Sequence, residues 1–190
     1  MVPRCFYPVS LRANVDLLTV PACRPCNATF QDDEPHVRSV LALAGEQPPP
    51  AVQELWETKV RRGFQQPDGV RRMLDLVKTF VPVQTAAGPQ HLIYPGRDER
   101  VLRVVRKVAR GLCHYHELMS PVPDSQVIAG LVPQEFPVPP HILAGTTYHH
   151  REPAVFEYRF EVVDRDGVHT AWLLTFFGRT TFCATVASHN

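Results

Sequence analysis

Apolar and polar residues alternate along this chain in two rhythms, and the rhythm changes near residue 140. Before that point apolar positions recur at helical spacing. Val37, Val40, Leu41 and Leu43 predict a helix over residues 33–44, and Val52, Leu55, Trp56 and Val60 predict another over 50–62. Pro67-Asp68 reads as an N-terminal signal for a third helix over 68–79, with Val70, Met73, Leu74 and Val77 as its buried stripe. The longest helix is predicted over 98–118, where Val101, Val104, Val105, Val108 and Leu112 form one continuous apolar face.

After residue 140 the period falls to two. Phe156, Tyr158, Phe160 and Val162 alternate with Glu157, Arg159 and Glu161, which predicts a strand with the first set toward a core. Asp164-Arg165-Asp166-Gly167 reads as a hairpin turn into a return strand over 168–177, and Gly178-Arg179 turns the chain into a third strand over 180–186. Residues 126–130 suit an added edge strand. The expected fold class is therefore α+β: a partial knuckle at the N-terminus, central helices, and a C-terminal antiparallel meander of three or four strands packed on the long helix. Residues 1–45 and 46–190 are the two expected units.

Proline sharpens these boundaries. Pro48-Pro49-Pro50 separates two helices, Pro82, Pro89 and Pro95 frame a loop or short strands, and the prolines between 121 and 140 exclude long helices there. With 44% apolar and 21% charged residues, the composition is that of a globular chain. Five cysteines at irregular spacing argue against a secreted disulfide framework. No apolar run approaches the ~20 residues of a membrane span, and Met1-Val2-Pro3-Arg4-Cys5 does not open a leader, so a cytoplasmic location is the expectation. A net charge of +1 makes the distribution of charge more informative than its sum.

The chemistry concentrates in Val20-Pro21-Ala22-Cys23-Arg24-Pro25-Cys26-Asn27, which reads as a strand end, a two-cysteine knuckle and a helix start. Cys23 and Cys26 could supply two thiolates to a metal, whereas structural zinc takes four ligands in a tetrahedron, and the chain has no second Cys-x-x-Cys pair. Cys5 and His36 are the candidates to complete such a set. Plain thiols and a redox pair are the other readings of the same spacing.

Met1-Val2-Pro3-Arg4-Cys5-Phe6-Tyr7-Pro8, followed by the Val-Pro-x-Cys-x-x-Cys-Asn segment and by Asp32, Asp33 and Glu34, resembles a group of bacterial HNH-endonuclease-like proteins. The resemblance is specific over roughly residues 1–45. It implies a ββα-metal knuckle with a structural zinc, held in part by Cys23 and Cys26, and a catalytic magnesium or manganese ion near Asn27. It implies DNA as partner. The family's first Cys pair and the Glu-His that supplies its general base are absent from these 190 residues. The resemblance places them ahead of Met1, and this chain is expected not to cleave DNA.

A second candidate site is electrostatic. Arg100, Arg103, Lys107 and Arg110 recur at i, i+3, i+7 and i+10 on the long helix, flanked by Arg97 and Arg106, and Arg61, Arg62, Arg71 and Arg72 add charge on neighbouring helices. The stripe could follow a phosphate backbone or could be the solvated face of an ordinary amphipathic helix. His114, His116, His149 and His150 are poor co-ligands, because neighbours at those spacings diverge. A triad of Ser120, His116 and Asp124 lacks the strand-turn-helix elbow such a nucleophile needs. The alternative to the nuclease-like reading is a non-catalytic nucleic-acid- or protein-binding α+β domain with an incidental Cys-x-x-Cys.

Overall fold

Aromatic residues anchor the beginning of the chain. In the computed structural model, which describes residues 2–12, 17–45, 47–85, 88–133, 138–152 and 154–188, a 3-10 turn at Arg4–Phe6 leads into the short helix α1 (Val9–Arg12). The side chains of Cys26, His141, His150, Arg151 and Glu152 lie outside that description. Phe6 and Tyr7 are buried, and Lys59 Nζ donates to the carbonyls of Cys5 (3.3 Å) and Tyr7 (2.9 Å). Residues 17–22 form no strand, so the strand expected ahead of the knuckle is corrected. A strand is held by ladder hydrogen bonds, and both sheets draw their strands from residue 80 onward. The cysteine pair instead opens the five-residue helix α2 (Arg24–Ala28) directly.

Three helical segments follow. α3 (Asp33–Leu43) is buried on several sides, including at Arg38 and Ser39. α4 (Pro50–Leu55) continues through a π turn at Trp56–Val60 into α5 (Arg61–Phe64). α6 (Gly69–Val77) follows after a tight turn, where a Cβ on Gly69 would sit 1.9 Å from the Phe64 carbonyl oxygen, so only glycine fits. β1 (Phe80–Thr85) and β2 (Gly88–Ile93) pair as an isolated hairpin. α7 (Glu99–Tyr115) is the longest element. Asp98 caps it, accepting from Arg100 N at 2.9 Å.

The second sheet is built from β3 (Val127–Leu131) and, after the short helix α8 (Pro140–Ala144), from β4 (Thr147–Glu152), β5 (Phe156–Arg165), β6 (Val168–Phe176) and β7 (Thr180–Ala187). Its order is β3-β7-β6-β5-β4, antiparallel throughout. The α+β class, the meander and the edge strand follow the sequence reading. β4 makes the sheet five-stranded, one more than its upper limit. Asp166 and Gly167, at φ 54° and 76°, form the two-residue turn between β5 and β6, the left-handed pair that matches strand twist. Val162 was expected to face the core and is exposed; it is paired opposite Thr170, next to the point where the β5–β6 register shifts.

The apolar face of α7 lies on this sheet. Val101, Val104, Val105, Val108 and Leu112 are fully buried, in one cluster with Phe156, Tyr158, Trp172, Leu174, Phe176 and Phe182. The same cluster takes in Phe6, Val37, Val40, Leu41, Val52 and Leu55, so residues before and after 45 pack around a continuous core. Two contacts tie the N-terminal part to the sheet. Phe6 meets Phe176 edge-on at 5.9 Å, and Arg179, in the β6–β7 turn, donates to the carbonyls of Leu41 (3.2 Å) and Ala42 (2.7 Å) at the C-terminal end of α3. Because Phe6 is wholly buried at this junction, Phe6→Ala is expected to destabilise the fold by about 3–5 kcal/mol. Denaturant unfolding checks this, and a loss under about 1 kcal/mol would mean that the N-terminal segment is not part of the cooperative core.

Candidate functional site

The knuckle is a surface feature. Cys23 and Asn27 are exposed, and the Asn27 N–H donates to the Cys23 carbonyl at 3.0 Å, closing the first turn of α2. The expectation that the Cys23 and Cys26 sulfurs face one point lies outside the described residues, because it depends on the Cys26 side chain. Neither candidate for the remaining ligands suits the role. Burial pushes the Cys5 thiol up to about 12, Arg38 and Arg12 opposing and Glu34 reinforcing the shift, and a metal ligand must be a thiolate. His36 Nε2 contacts Asp98 Oδ2 at 2.5 Å, with both side chains largely buried. Among the described residues, no group of three or more His, Cys, Asp or Glu side chains could hold a metal ion. The described donors, Cys26 Sγ not among them, therefore do not complete a set for the zinc, magnesium or manganese that the family resemblance implies.

The basic stripe of α7 forms, on one side of the helix as its spacing requires, but its charges are engaged. Arg100 Nε donates to Asp33 Oδ1 at 3.1 Å, its Nη1 reaches Asp75 at 3.5 Å, and its Nη2 donates to the Asp32 carbonyl at 2.9 Å. Arg103 Nη2 approaches Asp33 Oδ2 at 2.5 Å as an ion pair rather than an aligned hydrogen bond. Lys107 Nζ donates to Glu34 at 2.6 Å and lies 4.4 Å above the Phe30 ring. Arg110 Nε donates to the Val122 carbonyl at 2.6 Å, and its Nη1 reaches Asp124 at 3.5 Å. Asp33 is only 4% exposed. Removing it would leave two arginines without their buried counter-charge, the costly way to break such a cluster. The acidic residues after the knuckle thus neutralise three members of the stripe.

α6 is turned the opposite way from the sequence expectation. Val70, Met73, Leu74 and Val77, read as its buried stripe, are exposed, Val70 at 73%. Its polar side faces the protein, where Asp75 meets Arg100 and where Arg72 is held by Asp68 at 2.7 Å. The reason is electrostatic. α6 carries one carboxylate, Asp75, and it serves as a counter-charge to Arg100 of α7.

Where α3, α5, α6 and α7 converge they enclose a cavity of about 340 Å³. Gln31, Asp32 and Asp33 line one wall, directly after the knuckle helix, and Val60, Gly63 and Phe64 form a largely apolar one. Five arginines line it: Arg38, Arg71, Arg72, Arg100 and Arg103. Burial lowers the pKa of Arg38, with the nearby Cys5 thiol opposing and Arg72 and Arg12 adding to the shift. His36 lies between this cavity and a second one lined by Asp98, Tyr94 and Thr79. Burial acts to raise the Asp98 carboxyl, but the His36 contact and the N–H groups of Arg100 and Val101 outweigh it, so its pKa falls below the ordinary carboxylate range.

The histidines resolve differently. His116 Nε2 meets the Tyr158 hydroxyl at 2.9 Å, and its ring lies 5.0 Å from that of His149 and 4.6 Å from that of Phe160. The fold therefore brings two histidines together inside an aromatic cluster, a proximity that sequence spacing cannot disclose. The triad of Ser120, His116 and Asp124 does not form. Ser120 Oγ pairs with His114 Nδ1 at 2.8 Å, and Asp124 is taken by Arg106 and Arg110.

No family model, curated protein or solved structure matches this chain. No helix among the described residues is long and apolar enough to cross a membrane. Two site residues escaped the sequence reading altogether: Arg38, which interrupts an apolar run, and Asp98, which is 62 residues from its partner His36. A charged residue inside Val37-Arg38-Ser39-Val40-Leu41 was the one signal available.

The thiols provide a direct check. Alkylation of the native protein near pH 8 should modify the exposed Cys23 and Cys183 rapidly. It should spare Cys5 and Cys113, whose thiols burial holds protonated. Peptide mass spectrometry reads the order, and early labelling of Cys5 would contradict its desolvated environment.

Proposed function

We propose that this chain is an HNH-endonuclease-like protein directed to DNA, which as a 190-residue chain binds without cutting. The observation that carries the reading is the position of the knuckle. The exposed turn Cys23–Asn27, whose sequence carries the family resemblance, runs within four residues into the wall of an arginine-lined cleft. Arg71 stands at that cleft, and Arg61 and Arg62 are exposed on the adjoining helix α5. These arginines, rather than the neutralised stripe Arg100, Arg103, Lys107 and Arg110, are the better candidates to meet phosphates. Among the described residues the knuckle has no counterpart of the general base that the family uses, and loss of such a base lowers rate by about 10²- to 10⁴-fold.

A protein-binding role with an incidental Cys-x-x-Cys is a second reading, and the exposed apolar stripe on α6 favours it. Duplex-DNA binding measured across a salt series separates the two. Each phosphate contact contributes about −0.9 to the slope of log K against log salt. Reversing the charge at Arg61, Arg62 and Arg71 should flatten that slope by about 2 to 3. Reversal at Arg110, whose guanidinium is engaged by Val122 and Asp124, should change it little. Undetectable DNA binding by the unaltered chain would sink the nuclease-like reading and leave the protein-binding one.

Cleavage is tested separately. A plasmid-nicking assay with magnesium or manganese should show no activity above background. Nicking that vanishes in Asn27→Ala would establish a working site in this chain and overturn the non-cutting part of the proposal.

A further inference from the structure

The arginine-lined cavity contains a charge with no ion-pair partner among the described residues. Each of the other four arginines in its lining meets a carboxylate: Arg100 and Arg103 meet Asp33, and Arg71 and Arg72 meet Asp68. Arg38 does not. It is 8% exposed, no carboxylate or carbonyl among the described residues accepts from it, and its Nε is sealed from solvent without an acceptor. A guanidinium is charged at any ordinary pH, and burying it unpaired is strongly unfavourable. Of the three carboxylate residues on its walls, Asp33 and Asp75 are committed to Arg100 and Arg103, and Asp32 makes no ion pair with Arg38.

We propose that this cavity is an oxyanion site that takes a terminal phosphoryl group, with Arg38 at its base and Arg71 and Arg72 at its rim. The planar fork of Arg38 suits a phosphate with several acceptor oxygens. At about 340 Å³ the space exceeds the needs of a bare phosphate and lies in the range of small-ligand pockets. Phe64 and Val60 offer an apolar wall to whatever bears the phosphate, and Gln31 lines the same space with an exposed amide. The 8% exposure of Arg38 disfavours an internal phosphodiester, which is flanked by sugars on both sides. It favours a free phosphate, a phosphomonoester or the phosphorylated end of a strand. The site is carried by Arg38 and its surroundings and does not depend on duplex binding.

Calorimetric titration of the full chain with inorganic phosphate and with a deoxynucleoside 5′-monophosphate tests the proposal. Saturable binding at millimolar concentration or tighter is expected. Arg38→Met should weaken it about ten-fold or more, the scale of a lost charge-assisted hydrogen bond, while Arg110→Ala, outside the cavity, should leave it unchanged. If Arg38→Met does not fold, Gly63→Leu serves instead. A Cβ at Gly63 meets only Arg72 Nη1, at 3.8 Å, and the longer side chain would occupy the cavity without removing charge, so it too should weaken binding about ten-fold or more. Competition with two otherwise identical oligonucleotides, one 5′-phosphorylated and one 5′-hydroxyl, identifies the source of the phosphate. Preference for the phosphorylated strand indicates a strand end, and competition by the small phosphates alone indicates a free metabolite. Absence of phosphate binding by the unaltered protein would overturn the proposal. So would binding that survives whichever cavity variant folds, or an equal loss in Arg110→Ala.

Discussion

The two-sidedness of α7 is the constraint from which the rest of the structure follows. A 3.6-residue period places Val101, Val104, Val105 and Val108 on one side and Arg100, Arg103 and Lys107 on another. Burying the valines against the five-stranded sheet releases about 1.5–3 kcal/mol per side chain, more than any exposed charge pair returns. The sheet therefore claims the apolar face, and the arginines must point where α3 and α6 pack. Those helices can approach only if they bring counter-charges, which they do with Asp33, Glu34 and Asp75.

This accounts for the unusual orientation of α6. An amphipathic helix ordinarily hides its apolar stripe, but here the inward contact of α6 is polar, with Asp75 set against Arg100. Leu76 and Gly69 are its only buried residues, and the four-residue apolar stripe is left outside. The same arrangement changes the meaning of the acidic residues after the knuckle. The sequence alone led to the expectation that they form part of a nuclease-like motif. In the fold they also hold the basic helix in place, so the stripe most easily read as a DNA track is largely consumed by internal pairing.

Much of the architecture was legible beforehand, and for identifiable reasons. α3, α7 and the β5–β6–β7 meander have long, clean periodicity, and the Asp166-Gly167 turn has a backbone requirement that few other residue pairs satisfy. β4 was missed because Tyr148-His149-His150 has no apolar alternation of its own. Its residues are ordered by pairing with β5, from Thr147 opposite Phe160 to Glu152 opposite Phe156. The strand expected before Cys23 failed for the converse reason: local residues favoured it, but no strand among the described residues offers it a ladder.

For the candidate site the division is sharper. Residue order alone determined the Cys23–Asn27 turn, the helix after it and the basic periodicity of α7, because each depends on neighbours within a few positions. Only the tertiary structure decided which of those charges remain available. Asp33 and Arg100 are 67 residues apart, and His36 and Asp98 are 62 apart. Arg38 gained its standing from the joint approach of α3, α5, α6 and α7. Ion pairing and burial are properties of distance in space, and a linear pattern encodes distance only along the helix or strand in which it is written.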